Sequence, residues 1–413
     1  MKTIHKQVII IGGGPGGLAA AAELKKSGID GILILEREHW LGGILRQCIH
    51  DGFGLTRFGE TLSGPEYAQR FIDQAEALGI EAATDTTVIG LSQDRIVTAV
   101  SKNSLVQYQA DAVILTMGCR ERTRGALSIP GERPSGVFTA GVAQAYMNLK
   151  NKMIGRRAVI LGSGDIGMIM ARRLTLEGAK VEAVFEIQPY ASGLPRNIEQ
   201  CLNDYGIPLY LSHTVTRIKG AGRLEAVEVS QVDEHLKPIP GTEQEYPCDT
   251  LILSVGLIPE NELSLMAGVQ LDPRTKGAVV DEFYQTTVPG IFAAGNVLHV
   301  HDLVDFVSLE AERLAKSVAA FLTDGLPAAG IQVETGGLIS YTVPQKITGK
   351  QDAVLFFRPR KPMRDCYVEI RQDETCLLRK KYPRLLPAQM ETISLPAGKL
   401  ISDSHIKVVT SLE

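Results

Sequence analysis

No stretch of this sequence reaches the roughly 18 uninterrupted apolar residues that a membrane-spanning helix needs. The nearest candidate, Val8 to Ala22 behind Met1, Lys2 and Lys6, is broken by five glycines and a proline. That interruption argues against a secretion signal, and the chain is expected to stay in the cytoplasm. A basic stripe is also missing: Lys and Arg are scattered singly, the net charge is -4 and the pI is about 6.1. Nothing here would follow a phosphate backbone, which excludes nucleic acid as an expected partner. The six cysteines, at 48, 119, 201, 248, 366 and 376, form no CxxC and no paired ligand spacing. A zinc site or a secreted disulfide framework is therefore not expected, no metal is assigned, and each thiol is expected as a small buried hydrophobe.

What is abundant is glycine, 41 in 413 residues, and its placement repeats. Val8-Ile-Ile-Ile-Gly-Gly-Gly-Pro-Gly-Gly17 and Val159-Ile-Leu-Gly-Ser-Gly-Asp-Ile-Gly167 are each a β-rich run, a GxGxxG and a helix-forming stretch. Gly28 and Gly178 each lie 11 residues past the third glycine, where a helix should stop, and Glu36 and Glu186 each lie 19 past it. One fingerprint alone is weak, whereas two with matching offsets specify two dinucleotide-binding βαβ units. In such a unit the glycines permit a tight turn, a close pyrophosphate and close helix packing, and the acid accepts from an adenosine ribose. A helix N-terminus meets the phosphate charge. Glu186 should repel a 2′-phosphate, and no arginine follows it closely, so the second site is expected to prefer NAD(H) to NADP(H).

Length predicts two or three domains. Helices are expected over 64–78 and 303–322, the second with a polar face carrying Glu310, Glu312, Arg313 and Lys316, and buried strands over 112–116 and 251–254. Past Asp324-Gly325 the pattern becomes strands only, at 338–343, 353–357, 367–371 and 406–410, separated by Pro- and Gly-bearing turns. This predicts a small β domain over 331–413, serving packing or dimerisation. Leu412 and Glu413 are left out of that reading.

Three further motifs make the chain resemble the pyridine nucleotide-disulfide oxidoreductase superfamily over residues 1 to about 325. Asp111-Ala-Val-Ile-Leu-Thr-Met-Gly118 and Asp249-Thr-Leu-Ile-Leu-Ser-Val-Gly256 resemble the segments that close each dinucleotide site. Thr287-Val-Pro-Gly-Ile-Phe-Ala-Ala-Gly-Asn296 resembles the second FAD motif, with Asn296 in place of the usual aspartate. The resemblance implies an α/β fold of two Rossmann-like domains, the second inserted in the first: FAD at 1–125 with 285–325, NAD at 126–284. It implies FAD contacts at Gly12, Gly14, Pro15, Gly16, Gly17, Glu36, Arg37, Gly43, Thr116, Gly118, Gly295, Asn296 and Val304. It implies NAD contacts at Gly162, Gly164, Asp165, Ile166, Gly167, Glu186 and Gly256. The helix opening near Val304 is expected to aim its N-terminus at the flavin and stabilise negative charge there.

The CxxxxC of disulfide reductases is absent, Leu45 and His50 standing at the aligned positions. Flavin is then the expected redox centre, with Cys48 and His50 as catalytic candidates and Cys119 following the Gly118 turn. His299 and His301 are further acid-base candidates. Arg120, Arg122 and Arg124 are expected either to bind an anion or to cap a loop. The segments around Cys48, Cys119 and His299 resemble most a subgroup of flavin oxidoreductases. Its members are similar to amine and amino-acid dehydrogenase subunits, and accompany an FAD-linked glycerol-3-phosphate dehydrogenase and a small Cys-rich protein in homo- or hetero-oligomers. The leading expectation is hydride exchange between NAD(H) and flavin, with electrons passing to or from a partner. The alternatives are a dehydrogenase subunit reduced directly by its amine or amino-acid substrate, and a non-enzymatic nucleotide-binding subunit.

Overall fold

Runs such as Val8–Ile11, Ile32–Leu35, Ala158–Leu161 and Leu251–Leu253 are apolar at every position, the signature of parallel strands covered on both faces. All of these residues are buried in the computed structural model, which describes residues 3–411. Met1, Lys2, Leu412 and Glu413 lie outside the described residues. In chain order the elements that build the sites are β1 (Thr3–Ile11), α1 (Pro15–Lys26), β2 (Ile32–Leu35), α2 (Gly64–Ala77) and β3 (Ser104–Leu115). There follow β4 (Arg157–Leu161), α3 (Asp165–Leu176), β5 (Lys180–Glu186), β6 (Thr250–Leu253), β7 (Ile291–Ala293) and α4 (Val304–Asp324).

The chain divides into two compact units, residues 1–119 with 259–413, and residues 120–258. In the first, β2, β1, β3 and β7 run parallel, with Ile10 opposite Ile34 and Ile114, and Phe292 opposite Ile114. Strands Ile96–Ser101 and Thr86–Leu91 extend the sheet antiparallel from the early part of β3. Helices α1 and α4 pack on it through Leu18, Leu24, Leu314 and Val318, all fully buried. Truncating such a leucine to alanine costs about 2–5 kcal/mol.

The second unit carries a five-stranded sheet in the order Val137–Thr139, β6, β4, β5, Leu209–Leu211, every pairing parallel. A three-stranded antiparallel sheet, His213–Lys219, Ala226–Gln231 and Gln244–Pro247, completes it.

The expected division at 284/285 differs from the structure, in which the chain rejoins the first unit at Pro259. The reason is local. The Asn261 amide donates to Val297 O and Lys276 O, both at 2.9 Å, and Gly277 lies so close to Leu298 that a Cβ would sit 1.7 Å from its carbonyl oxygen. Residues 259–284 are thereby bound to the turn that precedes α4. On the outward crossing, the first unit ends at Cys119 rather than residue 125.

Residues 331–411 form two sheets. One has five strands and includes Ile331–Thr335, Met363–Gln372, Thr375–Leu385 and Ile406–Ser411. The other has three: Ile339–Val343, Ala353–Pro359 and Glu391–Leu395. They enclose their own core around Ile370, Phe357 and Val408, while Val343, Phe356 and Met390 join the core of the dinucleotide fold. Cys201, Cys248 and Cys366 are buried as expected of a small hydrophobe, but Cys376 is exposed on strand Thr375–Leu385. Among the described residues that strand pairs only with Met363–Gln372, at the end of the strand order of its sheet, and Lys380 and Lys381 on it are exposed too.

Candidate nucleotide sites

At the first site the turn between β1 and α1 is too close to its surroundings for side chains at two glycines. A Cβ on Gly17 would lie 1.9 Å from Gly12 O, and one on Gly12, at φ +110°, would lie 2.5 Å from Thr116 O. The Thr116 hydroxyl donates to Ile11 O and Gly12 O at 3.0 Å each, tying the end of β3 to the turn. Gly14 differs: a Cβ there meets nothing nearer than Gly43 Cα at 3.9 Å. The mouth of the turn is open, and no side chain caps α1 above it. Uncapped N-H groups at the positive end of a helix dipole suit a pyrophosphate. Gly16 and Gly295 both approach Val307 of α4, which brings the late motif to the same turn.

Glu36, at the end of β2, is buried and accepts from Gly13 N at 2.7 Å and Glu38 N at 2.8 Å, one donor per oxygen. A carboxylate offers about four lone-pair sites, so two remain for ribose hydroxyls. Arg37 is exposed and pairs with Glu38 at 3.7 Å.

The second turn is built in the same way. A Cβ on Gly162 would lie 2.1 Å from Ser254 O, and the Ser254 hydroxyl accepts from Gly167 N at 3.1 Å. Ser254 holds the place that Thr116 has in the first unit, a correspondence the sequence motifs contain, but its hydroxyl accepts from the helix start where that of Thr116 donates to the turn. Ile166 packs against the core of the second unit, and Gly256 O accepts from Arg122 N at 3.0 Å. Glu186 is buried at the end of β5, as Glu36 is at the end of β2.

Beside the late motif three ionisable side chains meet in the core. Glu310 of α4 accepts from Gly295 N at 2.7 Å, lies 2.6 Å from His299 Nε2 and 3.2 Å from His301 Nε2, and its side chain is fully buried. Burial pushes the Glu310 carboxyl up, but the two imidazoles outweigh it and hold the group below the usual carboxylate range. Burial holds His299 below the ordinary imidazole value against the pull of Glu310. Two imidazoles and a carboxylate form a possible metal ligand set. The 2.6 Å contact is a hydrogen bond, however, and both Nδ1 atoms are buried without a partner. A metal-bound histidine normally donates its other N-H to an acceptor, and none among the described residues faces these two. The arrangement favours each imidazole donating Nε2-H to Glu310, which locks α4 to the Gly295 turn.

Asn296 is engaged on both sides, its Oδ1 accepting from His301 N at 3.0 Å and its Nδ2 lying 3.6 Å from Cys119 Sγ. The first turn of α4, after Val304, holds the buried Asp305, whose carboxylate accepts from Gly54 N and Thr56 N. Its negative charge opposes the positive helix end that the sequence led us to expect there.

Cys48 donates to Ile44 O at 3.4 Å, and burial pushes its thiol up to about 12, so at neutral pH it is protonated and a poor nucleophile. His50 Nδ1 lies 3.1 Å from Asp51 O, with its ring against Phe53. Arg124 donates to Ile129 O, Gly131 O and Glu132 O, which is the loop-capping role.

The family profile for pyridine nucleotide-disulphide oxidoreductases matches residues 6–321. The chain belongs to that family. Members bind FAD and NAD(P), and this chain is an oxidoreductase of the same kind. It is 25% identical to the glutamate synthase [NADPH] small chain of Mycobacterium tuberculosis, over 79% of this chain and 69% of that protein. It is 27% identical to an opine oxidase subunit of Agrobacterium tumefaciens, over 70% of this chain and 60% of that one. The fold is that of T. acidophilum thioredoxin reductase, with TM-score 0.62 and 24% identity, covering 76% of this chain and 98% of the other. All six cysteines are free thiols in the structure.

Proposed function

We propose that this is a cytoplasmic FAD-dependent oxidoreductase that exchanges hydride with NAD(H), and that it works as a subunit passing electrons to or from a protein partner. The observation that carries the reading is the duplicated turn with its buried acid, Glu36 in one unit and Glu186 in the other. The open turn at Gly14, the uncapped start of α1 and the half-filled Glu36 carboxylate fit the pyrophosphate and ribose of FAD at the first site. Flavin supplies two-electron chemistry when bound. The chain's own groups hold it, with Thr116 and Gly295 closing the turn and Asn296 fixing the segment behind it. NAD(H) is assigned to the second unit. Its carboxylate Glu186, with no arginine close after it in the sequence, disfavours a 2′-phosphate. Cys48, as a neutral thiol, shapes that environment without carrying electrons.

Two relatives are themselves parts of larger enzymes, the small chain of glutamate synthase and a subunit of opine oxidase, which supports a hetero-oligomer here. An FAD-linked dehydrogenase of the glycerol-3-phosphate type and a small Cys-rich protein are the candidate partners. Likeness to the opine oxidase component favours one second reading, in which an amine or amino acid reduces the flavin directly.

Anaerobic mixing separates the two. NADH is expected to bleach the flavin faster than NADPH does, with uptake of two electrons per FAD in a reductive titration. Bleaching only by an amino acid would favour the second reading. Uptake of four electrons, with a charge-transfer band abolished by Cys48→Ser, would show that a thiol pair takes part.

A further inference from the structure

The two dinucleotide folds are matched position by position at a separation of 150 residues: Gly12 with Gly162, Gly14 with Gly164, Gly17 with Gly167, Glu36 with Glu186. Carried on, the same register pairs Gly13 with Ser163, Gly42 with Ser192 and Gly43 with Gly193. The backbone follows it. In both units the loop after the acid folds back over the fingerprint turn. Gly42 N donates to Gly13 O at 2.8 Å in the first, and Ser192 N donates to the Ser163 hydroxyl at 2.8 Å in the second. Gly43 and Gly193 both press against their turns: a Cβ on Gly43 would lie 3.0 Å from Gly14 Cα, and one on Gly193 2.7 Å from Ser163 O.

Two glycines of the first unit are thus serines in the second, and both hydroxyls turn onto Glu186. Its Oε2 accepts from Ser163 N at 3.0 Å, the Ser163 hydroxyl at 2.6 Å and the Ser192 hydroxyl at 2.8 Å. Its Oε1 accepts from Gln188 N at 3.0 Å. Three of the four donors crowd Oε2, which has two lone pairs, and leave one site on Oε1, where Glu36 keeps one site open on each oxygen. The loop is fastened a second time beyond Ser192, through Leu194 N and the Asn197 amide on Asp165 Oδ1, at 2.8 and 2.6 Å.

We propose that Ser192 is an affinity-setting residue of the second site: its hydroxyl occupies the Oε2 position that an adenosine ribose needs if its two hydroxyls are to engage both oxygens of Glu186. A ribose grips both oxygens there only by displacing it. The first site holds its ribose on a carboxylate with a free site on each oxygen, and the second holds its ribose in competition with the protein at Oε2. The difference suits a resident group at one site and an exchanging one at the other. This rests on the assignment of the second unit as a nucleotide site.

The test uses the FAD-loaded protein, in which the first site is filled, and titrates ADP and 2′,3′-dideoxy-ADP by calorimetry. Ser192→Gly, which restores the residue of the first unit, is expected to bind ADP about tenfold more tightly than wild type, the worth of one hydrogen bond to a charged acceptor. Ser192→Thr keeps a hydroxyl and is expected to match wild type. The dideoxy analogue, with no ribose hydroxyls, is expected to show no gain. Equal or weaker ADP binding by Ser192→Gly overturns the proposal, as does an equal gain with the dideoxy analogue. If neither wild type nor variant binds ADP or NADH, the nucleotide assignment itself fails. Binding by the variant alone upholds both. Should Ser192→Gly not fold, Ser192→Ala gives the same comparison.

Discussion

Two glycines in one turn separate folding from binding. Gly17 has no room for a methyl group, because Gly12 O would lie 1.9 Å from its Cβ. Gly14 has room within the protein but faces the ligand side of the turn. Gly14→Val is therefore expected to yield a folded protein without FAD, while Gly17→Ala is expected to be destabilised by several kcal/mol through the displaced backbone, as overpacked sites are. Circular dichroism melts with flavin content measured on the same samples check both. A Gly14→Val protein with full flavin would remove the site assignment. At this scale the sequence was informative about residues whose identity is forced by backbone approach, since only glycine fits. It was silent about partners chosen by side-chain packing. Ser192 and Ser254 are ordinary polar letters in a loop and at a strand end, and only the fold brings them onto Glu186 and Gly167.

Among elements, α4 was the most legible and the least fully understood from sequence. Its apolar spacing placed it within two residues at either end, but its outward-reading charges misled. Glu310, expected on a polar face, is buried because Gly295 N and two imidazoles satisfy it. Removing one partner of such a cluster leaves the others buried and unpaired, so Glu310→Ala is expected to cost about 3–5 kcal/mol. The pH dependence has a definite sign. His299 is depressed in the folded protein, so below its ordinary value of about 6.5 the unfolded chain binds the extra proton and stability falls. Glu310, also depressed, adds a further loss at pH values below about 4.5. Unfolding midpoints measured from pH 8 to 5 should decline below about 6.5; a flat profile would mean that His299 is not held neutral by burial. The strands Ile331–Thr335, Thr375–Leu385 and Glu391–Leu395 escaped the sequence reading for a related reason. Charged or polar residues at exposed positions interrupt their buried pattern, as in Thr375–Leu385 with Arg379, Lys380 and Lys381. Their strand character comes from pairing, not from composition.

For the whole molecule, the interrupted layout of the first unit has a consequence for synthesis. Its sheet lacks β7 and its turn lacks α4 until residues beyond 291 have been made, whereas residues 120–258 are contiguous and carry both their sheets and their own core. A ribosome therefore finishes the guest before the host. During that interval β3 waits with one edge of its Val113–Leu115 segment unpaired, the edge that β7 later covers. A fragment of residues 120–258 is expected to fold alone and melt cooperatively, and a fragment of residues 1–119 is expected to expose that edge and aggregate. Equal solubility of the two fragments would contradict this order of assembly. The insertion that gives the protein its second nucleotide fold thus also sets a delay between the first glycine turn leaving the ribosome and the moment anything can bind to it.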